Sequence, residues 1–363
     1  MPDVLAGFTV AVTAERRRDE LTTLLEQHGA RIVSAQALRV VPLAGDAGLR
    51  TATKALVERR PDIVVANTGA GVRGWLEAAD GWGLGEALRA SLSSAYLVAQ
   101  DAETRGALRS AGLVAAWSPT SDGYDAVLDH LVRRHRISGQ RVAVALQGEP
   151  QEEFCGALAA AGADVVEVPV NRWAPPVDPT PLRRLVDLIT NRLVDAVTFT
   201  SAPAVAALLG VAGPDTGPVL RALRTDVLAG CVGPVAAAPL RQHGVPVLAP
   251  TPARPGVLAR SLVAALPLRI RTLRVAGTEL ALRGHAAVVD GVLKPLPPAQ
   301  MAILKALASS PGKVLPRSQL LGSLPRGADE HAVEMAVARL RAALGGSTLI
   351  QTVVKRGYRL RVD

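Results

Sequence analysis

Across residues 1–266 the hydrophobic and polar positions repeat one unit: a short Val/Ile/Ala-rich run, a polar loop, a helical stretch, then a glycine and another apolar run. Residues 8–13 lead into a helical pattern near 17–28, closed by Gly29 and followed by the run 31–35. Residues 141–147 lead into one near 151–161, closed by Gly162 and followed by 164–170. Gly112 and Gly244 stand in the same way before 113–116 and 245–249. Glycine enters the left-handed conformation that ends helices without a Cβ penalty, so these four positions predict helix-to-strand junctions. Strands that are apolar at nearly every position and alternate with helices belong to parallel sheets covered on both faces. The pattern therefore predicts doubly wound α/β domains.

Three segments break the rhythm. Residues 169–178, with Trp173, Pro175 and Pro176, read as an inter-domain crossing, and 39–43 as a second extended segment of the same kind. Residues 249–255 form a proline-rich loop before a short apolar helix, 256–266, that is expected to stop at Pro267. Beyond it the period changes. Residues 269–275, 279–282 and 286–289 are β-like bursts with Gly277, Gly284 and Gly291 at the turns. Three helices follow by pattern: 298–309, with Met301, Ile303, Leu304 and Leu307 on one face; 317–324; and 329–344, with Val333, Val337, Leu340 and Leu344 on one face. Residues 349–354 and 358–362 close the chain as two β runs joined through Lys355-Arg356-Gly357. A glycine-containing hairpin after a three-helix unit predicts a winged helix-turn-helix.

Composition sharpens this division. The 363 residues are too many for one ordinary core, and 49% apolar with 20% charged residues fits a folded chain rather than a disordered one. Aromatics are only 3%, so Ala, Val and Leu must fill the cores. Lys plus Arg number 41 against 32 Asp plus Glu, a formal charge of +9. Residues 1–266 hold 26 of each sign, whereas 267–363 hold 15 basic and six acidic residues. A neutral body with a basic C-terminal module is the layout of a chain that binds a polyanion with one part only. Cys155 and Cys231 lack CxxC spacing and sit in apolar stretches, which predicts buried thiols and neither disulfide nor zinc site. No His, Asp or Glu cluster has metal-ligand spacing, and no cofactor is expected. There is no signal-like N-terminus and no apolar run of about 20 residues, so the expected location is the cytoplasm, without a membrane partner.

The basic module carries the nucleic-acid signal. His331, Arg339 and Arg341 lie off the apolar face of the third helix, and Lys355 and Arg356 form the hairpin tip. A helix fits the major groove, and a basic hairpin reaches phosphates or the adjacent minor groove. The stretches LPPAQ at 296, ILKAL at 303, PGKVLPRSQLL at 311, ARLRAALG at 338 and IQTVVKRGYRL at 350 resemble the C-terminal effector domain of OmpR/PhoB-type response regulators. The resemblance implies double-stranded DNA as partner, with His331, Glu334, Arg339 and Arg341 toward bases and Thr352, Lys355 and Arg356 toward phosphates. Ala336 and Ala338 stand where relatives often carry polar or basic residues. Nothing upstream resembles a phospho-receiver domain.

The upstream part resembles another family. Its pieces are AVTAERR at 11, NTGAGVR at 67, DAVTFTSAPAV at 195 and CVGPVAAAPL at 231, and they look like uroporphyrinogen-III synthase of HemD type. That resemblance spans about 7–266 and implies two α/β domains of synthase type, joined by a two-stranded crossing around a tetrapyrrole cleft. The first domain would be discontinuous, 1–40 with 171–266, the second would be 41–170, and the winged helix 267–363. Strand-to-helix turns present backbone N–H groups that receive carboxylates. Thr68, Gly69 and Gly71, Thr200 and Ser201, and Gly233 and Pro234 are therefore candidate ligand-binding residues, together with Asn171; the Arg16-Arg17-Arg18 run is a further carboxylate candidate or a solvated helix end.

Two departures bear on catalysis. Asn171 occupies the position of the family tyrosine in the crossing segment, and Ala236 that of a family threonine. An amide is a poor general acid, and such assistance is typically worth about 10²–10⁴-fold. Tyr96 and Tyr124 lie outside the crossing. No catalytic residue is expected, and the chain reads as a transcription regulator whose non-catalytic body takes a tetrapyrrole or other acidic small ligand, or a second transcription regulator. The domain pairing resembles actinobacterial regulators of nitrate and nitrite assimilation. The alternatives are an active synthase, cyclising hydroxymethylbilane with inversion of ring D, that also binds DNA, and a scaffold without a small ligand.

Overall fold

The computed structural model describes residues 4–14, 18–119, 124–148, 151–324, 329–346 and 348–361; Arg16 and Arg17 of the basic run, and Val362 of the last β run, lie outside them. The chain forms two compact units, residues 1–38 with 176–363, and residues 39–175.

The first unit begins with a five-stranded, all-parallel sheet in the spatial order Val247–Leu248, Leu228–Cys231, Ala196–Phe199, Thr9–Val12, Arg31–Ser34. Three of these strands are buried at every position. Alternate residues point to opposite faces of a strand, and the cores divide accordingly. Ala11, Val197, Phe199 and Ala229 pack with the helices Thr180–Thr190, Ala202–Ala212, Thr216–Thr225 and Gly233–Gln242. Val10, Val12, Ala196 and Leu228 pack with Arg18–Glu26 and Pro255–Leu268. The last helix runs through Pro267, one residue past the expected stop, because a proline in a final turn removes a single N–H.

A four-stranded antiparallel meander follows: Arg271–Val275, Thr278–Leu282, Ala286–Val289 and Val292–Pro295. The fourth strand extends the three bursts legible in the sequence. Its hairpin turns Ala276-Gly277 and Asp290-Gly291 have positive φ at both residues, the geometry that matches strand twist in two-residue loops. The helices Pro298–Ser309, Arg317–Leu321 and Glu330–Leu344 and the hairpin Ile350–Val353 with Gly357–Leu360 share one core with the meander. A Cβ at Gly357 would lie 2.0 Å from the Leu315 carbonyl oxygen, so only glycine lets the hairpin close on the helices. This is the winged helix-turn-helix.

The second unit holds the sheet Tyr96–Ala99, Ile63–Ala66, Arg141–Gly148, Asp164–Ala174, Arg39–Pro42. The first four strands are parallel; the last runs antiparallel, pairing Arg39 with Ala174 and Pro42 with Asn171. That pairing continues to its ends, which is why the unit's limits fall at 39 and 175 rather than at 41 and 170. The register slips between Leu146 and Gln147, beside Pro169, and so sets Asn171 opposite Gln147.

Gly29, Gly112, Gly162 and Gly244 all take positive φ, between 67° and 89°. Three of them lead into strands. Residues 113–116 do not form one: Val114 is 82% exposed, and the run meets the neighbouring edge strand at its end, where the Ala116 N–H donates to the Leu97 carbonyl at 2.8 Å and Trp117 bridges to Val98. Both cysteines are buried, and burial pushes their thiols up, Cys155 to about 11 and Cys231 to about 12.

Candidate functional site

The third helix of the winged domain starts where the Asp329 carboxylate accepts the Ala332 N–H at 2.7 Å and stops at Gly345, whose φ is 100°. Val333, Ala336, Val337, Leu340 and Leu344 face the core. Ala336 therefore belongs to the packing and not to a reading face. The outward stripe comprises His331, Glu334, Met335, Ala338, Arg339 and Ala342, all exposed. Met335, 41% exposed, has no counterpart among the sequence candidates; only its place outside the apolar heptad positions signalled it.

Arg341 departs from its expected role. Its guanidinium donates to the Ile350 carbonyl from Nε and Nη2, at 3.1 and 2.8 Å, and to Thr352 Oγ1 at 2.7 Å, and it lies 5.7 Å from the Tyr358 ring centroid. It ties the helix to the hairpin instead of joining the exposed stripe. Glu334 is held by Arg317, Nε to Oε1 2.9 Å, and the Arg317 guanidinium also lies 5.3 Å from the Tyr358 ring centroid. Lys355 and Arg356 are exposed at the hairpin tip, Lys355 with φ 60°, and neither has a carboxylate partner among the described residues. Val354, 78% exposed, adjoins them.

The strand-to-helix turns of the α/β parts are built as helix caps. Thr68 Oγ1 accepts the Gly71 N–H at 3.1 Å, and the Ser201 hydroxyl accepts the Ala204 N–H at 3.4 Å. A Cβ on Gly69 would meet the Glu103 carbonyl at 2.9 Å, and one on Gly71 would meet Val170 at 2.8 Å. Close helix and strand packing thus requires both glycines. Gly233 has φ 85° and sits 2.7 Å from Ala253 at its virtual Cβ. Pro234 is exposed beside it and Thr200 half-buried. Ala236, by contrast, is 3% exposed and packs into the core with Ala237 and Leu240.

Asn171 lies in the second unit on the long strand Asp164–Ala174 and is 5% exposed. Its Oδ1 is buried and finds no hydrogen-bond partner among the described residues. It borders a cavity of about 370 Å³ together with Leu43, Gly48, Leu146, Glu167 and Arg172. An orphaned buried acceptor next to open space is the arrangement a polar ligand or water satisfies. Tyr124, in the same unit, accepts a short hydrogen bond from Asn67 Nδ2 and packs 4.3 Å from the Phe154 ring; burial pushes its phenol up to about 12.

These features meet a family comparison. The model for uroporphyrinogen-III synthase HemD matches residues 19–259, about two thirds of the chain. The chain belongs to the uroporphyrinogen-III synthase family. Residues 293–360 match the model for the C-terminal domain of transcriptional regulatory proteins, so the synthase-type body is fused to a DNA-binding domain of OmpR/PhoB type. An uncharacterized Bacillus subtilis protein, YjjA, is 28% identical over 260 residues, 70% of this chain and 94% of its own. The crystal structure of a mutant uroporphyrinogen III synthase from the extreme thermophile Thermus thermophilus superposes with a TM-score of 0.54 at 29% identity, covering 72% of this chain and all of the synthase. The DNA-binding domain of Klebsiella pneumoniae RstA, solved with its RstA box, is 25% identical over 25% of this chain and 97% of its own, with a TM-score of 0.22.

Within the first unit, the synthase-type sheet meets the winged domain at the N-terminal ends of its strands. Asp195, just before Ala196–Phe199, accepts the Thr9 N–H at 2.7 Å and the Gly284 N–H of the meander. Burial raises its carboxyl to about 6, against the opposing pull of Lys305 and these N–H groups. Lys305, from the helix Pro298–Ser309, donates to the Arg192 carbonyl at 2.5 Å, and burial holds its amine below the ordinary range. Thr9 Oγ1 lies 2.8 Å from His285 Nδ1, and Arg283 bonds the Ala6 carbonyl while its guanidinium covers the Phe8 ring. None of these contacts is legible in the sequence, because the partners are up to 277 positions apart. Among the described residues no group of His, Cys, Asp and Glu could hold a metal ion, and no helix is long and apolar enough to cross a membrane.

Proposed function

We propose that this chain is a DNA-binding transcription regulator whose synthase-type body serves as a non-catalytic receptor. The observation that carries this reading is the outward stripe of the helix Glu330–Leu344 beside a basic hairpin tip that has no carboxylate partner among the described residues, in a module that holds the whole of the chain's excess charge. His331 and Arg339 reach base edges, and Glu334 keeps one carboxylate oxygen for a cytosine amino group. Lys355, Arg356 and the Thr352 hydroxyl hold phosphates. In the body, the turn at 68–71 with the orphaned Asn171 acceptor in one unit, and the turns at 200–201 and 233–234 in the other, each suit carboxylates and other polar groups, with a tetrapyrrole as the preferred class of ligand and a second regulator protein as the other occupant. The nitrogen-assimilation genes implied by resemblance are the preferred targets, and genome-wide footprinting checks their occupancy.

Titrating the full chain with duplex DNA across a salt series tests the reading. Affinity should fall steeply with salt, and replacing Lys355 and Arg356 together by Ala should reduce the log–log slope by about 1.8, at about 0.9 per phosphate contact. An unchanged slope removes the hairpin from the interface. Supplying hydroxymethylbilane and separating the porphyrin isomers tests the body: only the spontaneous type I isomer is expected, since Asn171 offers an amide where active relatives have a phenol. Type III product would establish a synthase that also binds DNA.

A further inference from the structure

A cavity of about 490 Å³ lies within the first unit, where the edge strand Arg31–Ser34 and the helix Thr180–Thr190 meet the turn Gly284-His285 and the first helix of the winged domain. That volume is in the range small organic ligands occupy. Its lining divides by chemistry. Ile32, Val33, Leu188 and Leu193 offer apolar surface from the synthase-type side, and Met301 closes it from the winged-domain core. Arg31, Arg184 and His285 line the polar part.

The cations there are not neutralised. Among the described residues neither Arg31 nor Arg184 has a carboxylate within ion-pair distance, and both are exposed at the rim. Asp178 also lines the cavity, but its carboxylate is engaged by Thr180, whose N–H it accepts at 2.9 Å. His285 is fixed through Nδ1 by the Thr9 hydroxyl, which leaves Nε2 as its other polar atom. Burial and the charge of Arg31 hold its imidazole below the usual range, so at neutral pH it offers a hydrogen bond rather than a third charge. Two guanidinium groups and a neutral imidazole beside an apolar wall are complementary to a head that is anionic on a body that is not.

We propose that this cavity binds a small amphipathic organic anion, a carboxylate or sulfonate on an apolar body, with Arg31 and Arg184 receiving the head and the Ile32–Val33 side taking the body. The site is separate from the ligand turns, which follow the C-terminal ends of Ala196–Phe199 and Leu228–Cys231, whereas this cavity adjoins the N-terminal end of Thr9–Val12. An occupant touches both the synthase-type half and the winged domain, so its binding energy acts on their junction.

Titrating the full chain with 8-anilinonaphthalene-1-sulfonate and competing with decanoate tests the assignment. One saturable site, displaced by decanoate, is expected. Arg31→Ala combined with Arg184→Ala should raise the dissociation constant at least tenfold without changing the melting temperature, since both side chains are exposed. Thr200→Val with Ser201→Ala should leave it unchanged, which separates this cavity from the ligand turns. Absence of saturable binding, a change below tenfold in the arginine variant, or loss in the Thr200/Ser201 variant overturns the proposal.

Discussion

At the scale of the residue, neighbouring side chains of one type do different work. Arg339 is exposed on the outward stripe, whereas Arg341 makes three hydrogen bonds that join helix to hairpin. Arg341→Ala should therefore destabilise the winged domain by about 1–3 kcal/mol, the range for a lost charge-assisted network. Arg339→Ala should alter stability by less than about 0.5 kcal/mol while weakening DNA binding. Parallel thermal melts and DNA titrations of the two variants check this, and equal melting temperatures would show that the tie to Ile350 and Thr352 is dispensable. Asp195 gives a pH prediction. Its carboxyl is raised from 3.8 to about 6 in the fold, so its protonated form is favoured there. The stabilisation it contributes is full below about pH 4 and is lost as pH rises through 6. Between pH 4 and 7 the native chain should lose up to about 3 kcal/mol relative to Asp195→Asn, which does not titrate. Urea unfolding of both proteins at several pH values measures that difference; parallel curves would mean that Asp195 titrates as in the unfolded chain.

At the scale of the element, the sequence is legible where one rule decides. Buried strands such as Thr9–Val12 and Ala196–Phe199 announce themselves because both faces are covered, and the helix-ending glycines because left-handed φ is costly for other residues. The run 113–116 is apolar yet irregular, since its exposure depends on a neighbouring strand edge that no local pattern reveals. The strand Val292–Pro295 hid behind a proline and a lysine on the solvent side of an edge. The exposed stripe of the third helix was legible in His331 and Arg339, but Met335 and the Arg317–Tyr358–Arg341 cluster needed the fold, because contacts such as Arg317 to Glu334 join different elements. The turn at Gly233 combines both kinds of constraint. Positive φ and a 2.7 Å approach to Ala253 lead us to expect that Gly233→Ala costs about 1–3 kcal/mol. Denaturant unfolding that shows a loss below about 0.5 kcal/mol would mean the loop around Ala253 moves aside freely.

At the scale of the whole molecule, the first unit makes one set of strands serve two ends. Ala196–Phe199 leads into the Thr200–Ser201 turn at its C-terminal end and starts from Asp195, which grips the meander, at the other. Four residues separate the two, so a shift of this strand by a ligand at the turn is a shift of the winged domain's anchor. One tie of that junction can be perturbed at a single atom. A Cβ at Gly284 would lie 1.8 Å from Asp195 Oδ2, inside any allowed contact, while Gly284 is not part of the winged-domain core around Leu304 and Leu340. Gly284→Ala should therefore displace the Asp195 carboxylate and weaken the junction, leaving the Lys305, His285 and Arg283 contacts in place and both parts folded. In scanning calorimetry the wild type should unfold this unit in one coupled transition, and the variant should resolve a winged-domain transition at lower temperature. Its intrinsic DNA affinity should persist, because the outward stripe and hairpin tip are untouched. A variant that keeps a single transition at the wild-type temperature would show that the Asp195 grip does not couple the two parts.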